Sequence, residues 1–262
     1  MHLLRRGSGQ AILFIHGMPT NNHLWSGVVE RLCADFTCLA VDLPGLGESP
    51  LEQYKGNYLQ QWADRIESIR IRNGIERWHV VGHDAGSALA VQYAHAYKRR
   101  VSRLALLSPA LVPDLKPYYL LELLRRPIVG EVLAPFINCV FWNVAMRRAA
   151  RNEEGIEGPT HAVFQKSFAG IEGSWKLMRT MRWGSPRDVL AHIPNYLPSL
   201  EMPTLLVHGS RDPAIPPSFI NRARYLIPNV QILEMECGHF IPLNRPACLA
   251  AHLGDFFGRV TH

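Results

Sequence analysis

The run Val80-Val81-Gly82-His83-Asp84-Ala85-Gly86-Ser87-Ala88-Leu89-Ala90 constrains this chain more than any other stretch. A β-branched apolar segment ends in Gly-x-Asp-x-Gly and passes directly into an alanine-rich, helix-favouring sequence. That pattern predicts a strand, a sharp turn and a helix, with Asp84 at the tip of the turn. So tight a turn admits only small neighbours, and Gly82, Ala85 and Gly86 supply them.

A carboxylate at that tip suits displacement at a saturated carbon better than acyl transfer. Attack on an acyl carbon would give a reactive anhydride, whereas displacement of a leaving group gives an alkyl ester. Water activated by a histidine would then attack the ester carbonyl while a pair of backbone N–H groups holds the oxyanion. The expected substrates carry strained or activated C–O or C–halogen bonds. The alternative is a turn that serves as scaffold alone, and the rest of the chain weighs against it.

Around this run, short apolar segments alternate with longer amphipathic ones, as in strand-helix-strand units on a mostly parallel sheet. Residues 11–15, 37–41, 78–81, 104–107, 204–207 and 231–235 read as strands. Residues 24–33, 58–72, 85–97, 217–226 and 246–257 read as helices. At most one short strand, 2–5, precedes the first of these. The alternation fails between 112 and 200, where leucine- and aromatic-rich helical sequence is broken by prolines from Pro113 to Pro198. The expected organisation is an α/β core of residues 1–111 and 201–262 with a helical cap, 112–200, over the carboxyl edge of the sheet. A cap placed there sets the substrate.

A chain of 262 residues that is 47% hydrophobic is long enough for such a core and one insertion. Its formal charge of +6 permits weak attraction to anionic surfaces or ligands. The surplus is spread through arginine pairs such as Arg5-Arg6 and Arg147-Arg148, with no aromatic interleaving, which argues against nucleic acid as a partner. Five cysteines at no metal or redox spacing read as reduced thiols, and no secretory signal is visible. The longest apolar region, 128–146, is interrupted by Glu131, Asn138 and Asn143, so it does not read as a membrane span. The expectation is a soluble, cytoplasmic protein.

Three further motifs complete a constellation. His16-Gly17-Met18-Pro19 follows a predicted strand and can aim a backbone N–H at the site, making the amides of Met18 and Ala85 the expected oxyanion pair. Asp212, in Gly209-Ser210-Arg211-Asp212-Pro213, and His239, in Cys237-Gly238-His239-Phe240, each lie just past a strand. The order nucleophile, acid, histidine is that of a triad in which the acid orients the imidazole. Asp114 and Asp188 are the rival acids. The glycine-rich turn 42–49 lacks the Gly-Lys-Ser/Thr ending of a phosphate loop and reads as structural.

Over nearly its whole length the chain resembles the α/β-hydrolase superfamily, and within it the aspartate-nucleophile branch of epoxide hydrolases and haloalkane dehalogenases. His16-Gly17-Met18-Pro19 and Gly82-His83-Asp84-Ala85-Gly86 match the motifs of that branch, and Asp212 and His239 match its acid and base. The resemblance implies the α/β-hydrolase fold, a catalytic triad of Asp84, Asp212 and His239, and no metal or organic cofactor. Two departures matter. Haloalkane dehalogenases hold the halide with a Trp after the nucleophile and often an Asn after His-Gly, and here these are Ala85 and Met18, neither of which donates from its side chain. Haloacetate dehalogenases clamp a carboxylate with arginines where this chain has Ala85 and Ala88.

Epoxide opening needs a hydrogen-bond donor for the alkoxide, and the resemblance implies cap tyrosines, for which Tyr118, Tyr119 and Tyr196 are the candidates. Trp142, Trp175 and Trp183 are the cap side chains able to offer an N–H to a leaving halide. The reading is an epoxide hydrolase acting on a hydrophobic organic substrate, with water as the second reactant and the oligomeric state left open. The alternatives are haloalkane or haloacid dehalogenation, an ester or lactone hydrolase of secondary metabolism, and a catalytically silent ligand-binding protein on the same fold.

Overall fold

The computed structural model describes residues 1–52, 58–115, 119–146, 161–182 and 186–258. Seven strands form one sheet: β1 (Leu3–Arg6), β2 (Gln10–Ile15), β3 (Phe36–Val41), β4 (Trp78–His83), β5 (Val101–Leu107), β6 (Thr204–Gly209) and β7 (Val230–Met235). Their order is β1-β3-β2-β4-β5-β6-β7, with β1 antiparallel to β3 and every other pair parallel. The chain leaves β2 toward β3 on one side and returns to β4 on the other. The carboxyl ends of β2 and β4 therefore flank a topological switch point, where open α/β sheets form their ligand crevice. Ile15 of β2 stands beside Gly82 of β4, so the His16–Pro19 turn and the Asp84 turn leave the sheet side by side.

Residues on β2, β3, β4 and β6 are buried almost throughout, which is why these strands read as continuous apolar runs. Helices α1 (Ser26–Leu32), α2 (Tyr58–Arg72) and α3 (Ala85–Ala96) follow β2, β3 and β4. Helix α1 packs with the helix Pro246–Phe257, and α2 packs with α3, so both faces of the sheet are covered. Several boundaries differ from the sequence expectation by one to three residues, and two of the differences have a visible cause. The predicted helix 24–33 is a 3-10 turn, Asn22–Trp25, followed by α1, because Asn21 Oδ1 accepts the His23 N–H at 3.0 Å and starts the turn early. Strand β5 begins at Val101 rather than 104. Its polar Ser102 and Arg103 hid the pairing, and Arg103 donates to the Phe256 carbonyl at 2.7 Å.

Between β5 and β6 the described residues are helical: α4 (Tyr119–Leu123), α5 (Val129–Val140), a π-helical turn Phe141–Met146, and helices His161–Gln165 and Gly170–Met181, then short turns to Ser199. This segment has its own apolar centre, where Trp142 stacks on Phe168 with ring centroids 5.7 Å apart. Asn138 Nδ2 ties α5 to the Phe168 carbonyl at 2.7 Å and to Ser174 Oγ at 2.9 Å. Two contacts fasten it over the switch-point side: Asn21 Nδ2 donates to the Val163 carbonyl at 3.4 Å, and Ser167 Oγ to the Gly47 carbonyl at 3.3 Å. Among the described residues no helix is long and apolar enough to cross a membrane.

Candidate active site

Asp84 sits between β4 and α3 with φ 51° and ψ −123°, a conformation that side-chain-bearing residues rarely adopt. The surroundings enforce it. A Cβ on Gly82 would come within 2.7 Å of the Gly86 carbonyl oxygen and the Ser87 Cα, so only glycine lets the chain fold back so sharply. On the facing loop, a Cβ on Gly17 would meet the Asp84 carboxylate at 2.6 Å. The bare backbone there lets the Met18 N–H reach Asp84 Oδ2 at 3.1 Å. The Ala85 N–H, at the positive end of α3, also hydrogen-bonds to this carboxylate.

The opposite side of the carboxylate faces His239. Its Nε2 lies 4.0 Å from Asp84 Oδ1, beyond direct hydrogen-bonding distance, while Nδ1 lies 2.8 Å from Asp212 Oδ2. With Asp212 ionised, that short contact requires Nδ1 to carry the proton, leaving a lone pair on Nε2 aimed toward Asp84. Asp212 Oδ1 accepts the N–H groups of Ala214 at 2.7 Å and Ile215 at 3.1 Å. Burial pushes the Asp212 carboxyl up, but the His239 hydrogen bond and charge and the Ala214 amide outweigh it and hold its pKa at about 2. Burial pushes the Asp84 carboxyl above its ordinary value, against the pull of His239 and the Ala85 and Met18 amides.

Two buried histidines complete the frame. His16 is enclosed by its own partners: Nδ1 lies 2.8 Å from the Gly17 carbonyl, and Nε2 accepts the Leu43 N–H at 3.0 Å. That pairing specifies one neutral tautomer and braces the loop carrying the Met18 amide. His83 lies under the ring of His239, centroids 4.9 Å apart, and its Nε2–H donates to the His239 carbonyl at 3.0 Å. Burial drives its pKa down to about 3, so it is neutral. Replacing His83 with Phe strands a buried carbonyl, so we expect a loss of about 1–2 kcal/mol and a melting temperature lower by a few degrees. His83→Gln, which keeps an N–H donor, should recover much of that loss in the same melting experiment.

The structure brings Asp84, Met18, Ala85, Asp212 and His239 together. Of the rival acids, Asp114 is held at the surface by Arg222 at 2.8 Å, and Asp188 is exposed on the short helix Pro186–Val189. The cap candidates scatter. Tyr196 stacks on His95, 4.1 Å between ring centroids, near the far end of α3 and about 15 Å along the helix from Ala85. Trp175 is 43% exposed, and Trp142 is fully buried with its indole N–H unpartnered among the described residues. Tyr119 opens α4. Tyr118 and Trp183 lie outside the described residues. The bracing by His16 and His83 escaped the sequence reading, although both belong to the motifs that were singled out there.

The chain is similar in sequence and fold to known α/β-hydrolases. Residues 10–132 match a family model described as the alpha/beta hydrolase fold. A cis-3-alkyl-4-alkyloxetan-2-one decarboxylase of Shewanella oneidensis is 24% identical over 280 residues, covering 98% of this chain and 84% of the relative. A haloalkane dehalogenase of Agrobacterium fabrum is 26% identical over 275 residues, covering 99% and 89%. A soluble epoxide hydrolase of Corynebacterium sp. is 31% identical over 115 residues, 44% of this chain and 39% of the relative. The crystal structure of Cfl2 from Burkholderia cenocepacia superimposes with a TM-score of 0.83 at 24% identity, covering 98% of this chain and 91% of that one.

Proposed function

We propose that this chain, which belongs to the α/β-hydrolase superfamily and to its branch of haloalkane dehalogenase- and epoxide hydrolase-like enzymes, hydrolyses hydrophobic organic epoxides through a covalent ester on Asp84. The observation that carries this reading is the division of labour between the two oxygens of one carboxylate. Oδ2 is held by the Met18 N–H at 3.1 Å, while Oδ1 faces His239 Nε2 across 4.0 Å.

In the first step Oδ1 attacks a ring carbon, an O–C bond forms, the ring C–O bond breaks, and the alkoxide takes a proton. Tyr118 and Tyr119 are our candidates for the donor. Tyr196 is not, because it packs against His95. In the second step His239 Nε2 takes a proton from water as the water oxygen bonds to Asp84 Cγ. The negative charge then builds on Oδ2, held by the Met18 amide, with the Ala85 amide on the same carboxylate. Collapse breaks the Cγ–Oδ1 ester bond and releases a diol that keeps the original carboxylate oxygen; the proton on His239 goes to the departing alkoxide, and the Asp84 carboxylic acid so formed returns its proton to the phenolate left by the first step.

Ala85 and Met18 favour ring opening over halide release, because neither places a side-chain N–H beside the leaving group. The similarity to an oxetan-2-one decarboxylase supports strained C–O rings as the substrate class, since an oxetan-2-one is itself one. Haloalkane hydrolysis is the second reading, favoured by the full-length similarity to a dehalogenase and by the unpartnered indole N–H of Trp142.

The origin of the product oxygen tests the covalent route. In a single turnover of styrene oxide with enzyme in excess in heavy-oxygen water, the first diol should carry no label, and label should appear in Asp84 and then in later diols. A labelled first diol means that water attacked the epoxide directly, and the proposal fails.

A further inference from the structure

Of the large hydrophobic side chains exposed among the described residues, the greater part lies on one helix pair between β5 and β6. Ile128 (77% exposed), Val132 (71%) and Phe136 (65%) follow one another at four-residue spacing along or just before α5, with Val144 (59%) beyond. On the neighbouring helix Gly170–Met181, Ile171 (61%) and Trp175 (43%) share the same spacing. Side chains four apart on a helix occupy one face, so each helix carries an apolar stripe turned away from the protein. The buried sides, including Ala134, Ile137 and Leu177, already make the core of the segment, so burying its own centre does not account for the outward stripes.

The charges on this pair are sorted by position. The helices run antiparallel, because Glu131 meets Arg182 at 2.5 Å while Asn138, a turn or two later on α5, meets Ser174. Exposed Arg126, just before α5, and exposed Arg179, which continues the Ile171-Trp175 face, therefore lie toward the same end. Arg182 is there too, its charge met by Glu131. Glu172, exposed at the other end, is the opposing carboxylate. The result is an apolar plate with a basic margin, on a chain whose formal charge is +6.

We propose that this helix pair docks on the surface of an anionic lipid bilayer, with the Ile128-Val132-Phe136 and Ile171-Trp175 stripes in the headgroup–acyl boundary and Arg126 and Arg179 against lipid phosphates. Exposed apolar helix faces with aromatic side chains and a basic rim partition into that zone, and the electrostatic part of their binding needs anionic lipid. A second copy of the chain is the poorer occupant, because two molecules of like charge repel where an anionic surface attracts. Docking by this face would bring the segment that lies over the active-site crevice to the phase where hydrophobic substrates dissolve. The proposal itself does not depend on the chemistry at Asp84.

Co-sedimentation of the full chain with vesicles of phosphatidylcholine, with and without about a third of phosphatidylglycerol, tests it. The chain should bind the anionic vesicles and not the neutral ones, and bind them less as salt is raised. Phe136→Asp and Val132→Asp should each weaken binding roughly tenfold while leaving the melting temperature unchanged, since both side chains are exposed. If either variant fails to fold, bromine-bearing lipids serve in its place: they should quench wild-type fluorescence, and most of that quenching should disappear in Trp175→Phe. Absence of anionic-vesicle binding overturns the proposal, as does binding that both aspartates leave unchanged. A dimer in light scattering that Val132→Asp dissociates also overturns it and gives the face to a second copy.

Discussion

Replacing His239 with alanine is expected to leave the first displacement intact and stop the second, so that each chain reacts once and retains the substrate as an ester on Asp84. Steady-state turnover should fall by about three orders of magnitude, the range typical of a lost general base. Intact mass should rise by one substrate. A panel of substrates then separates the readings: adducts from epoxides alone support ring opening, and adducts from haloalkanes with free halide support the second reading. No adduct from any alkylating substrate, together with ester turnover that survives Asp84→Ala, would remove the covalent aspartate altogether. The wild-type enzyme should show the same bottleneck at low pH. Burial alone lowers the His239 pKa, but the Asp212 hydrogen bond and charge, helped by Asp84, reverse that and raise it above the ordinary histidine value. His239 acts as a base only when neutral, so ester hydrolysis should decline as pH falls through a value above 6.5, and the ester should accumulate there. Asp84 must be ionised to attack, so its raised carboxyl imposes a separate acid limb on the first step, visible in the rate of adduct formation by His239→Ala.

The parts of this site that were legible in the sequence are those fixed by strand ends. Asp84 and Asp212 sit just past buried strands and His239 just past the mostly exposed edge strand β7, and a parallel sheet necessarily delivers such positions to one edge. The amides of Met18 and Ala85 were legible for the same reason, since β2 and β4 are neighbours and end in register. What was hidden depends on contacts made across the chain. The partner of His83 is a carbonyl 156 residues away, and nothing in the local sequence points to it. Tyr196 reads as a cap tyrosine like any other, yet the short helix that carries it turns it onto His95 at the wrong end of α3. Trp175 and Phe136 illustrate the same limit from the other side. A hydrophobic pattern reports that a helix has an apolar face, and this segment has apolar residues on both faces, only one of which is buried.

Gly86→Ala should be a severely damaging single-methyl change in the core and at the site together. A Cβ at this position would fall within 2.5 Å of the Ile15 carbonyl oxygen and closer still to that of His16. Both are backbone atoms, Ile15 at the end of a central strand paired on both sides and His16 directly after it, so neither can step aside as a flexible side chain would. The first turn of α3 must therefore move away from β2, and the Asp84 carboxylate must move with it, out of reach of the Met18 N–H that now lies 3.1 Å from Oδ2. A clash of that kind costs about 3 kcal/mol, which lowers the melting temperature by roughly 6–12 °C. If Asp84 is the nucleophile as proposed, displacing its carboxylate from the Met18 amide by even about 1 Å should cost a further hundredfold in turnover. Gly74→Ala provides the contrast. Gly74 has φ +65° with nothing within 4 Å of its would-be Cβ, so alanine there meets backbone strain without a clash. It should lose about 1 kcal/mol in stability and no turnover. If Gly86→Ala and Gly74→Ala melt alike and both keep full turnover, the close approach of α3 to β2 is not what holds the Asp84 carboxylate against the Met18 amide.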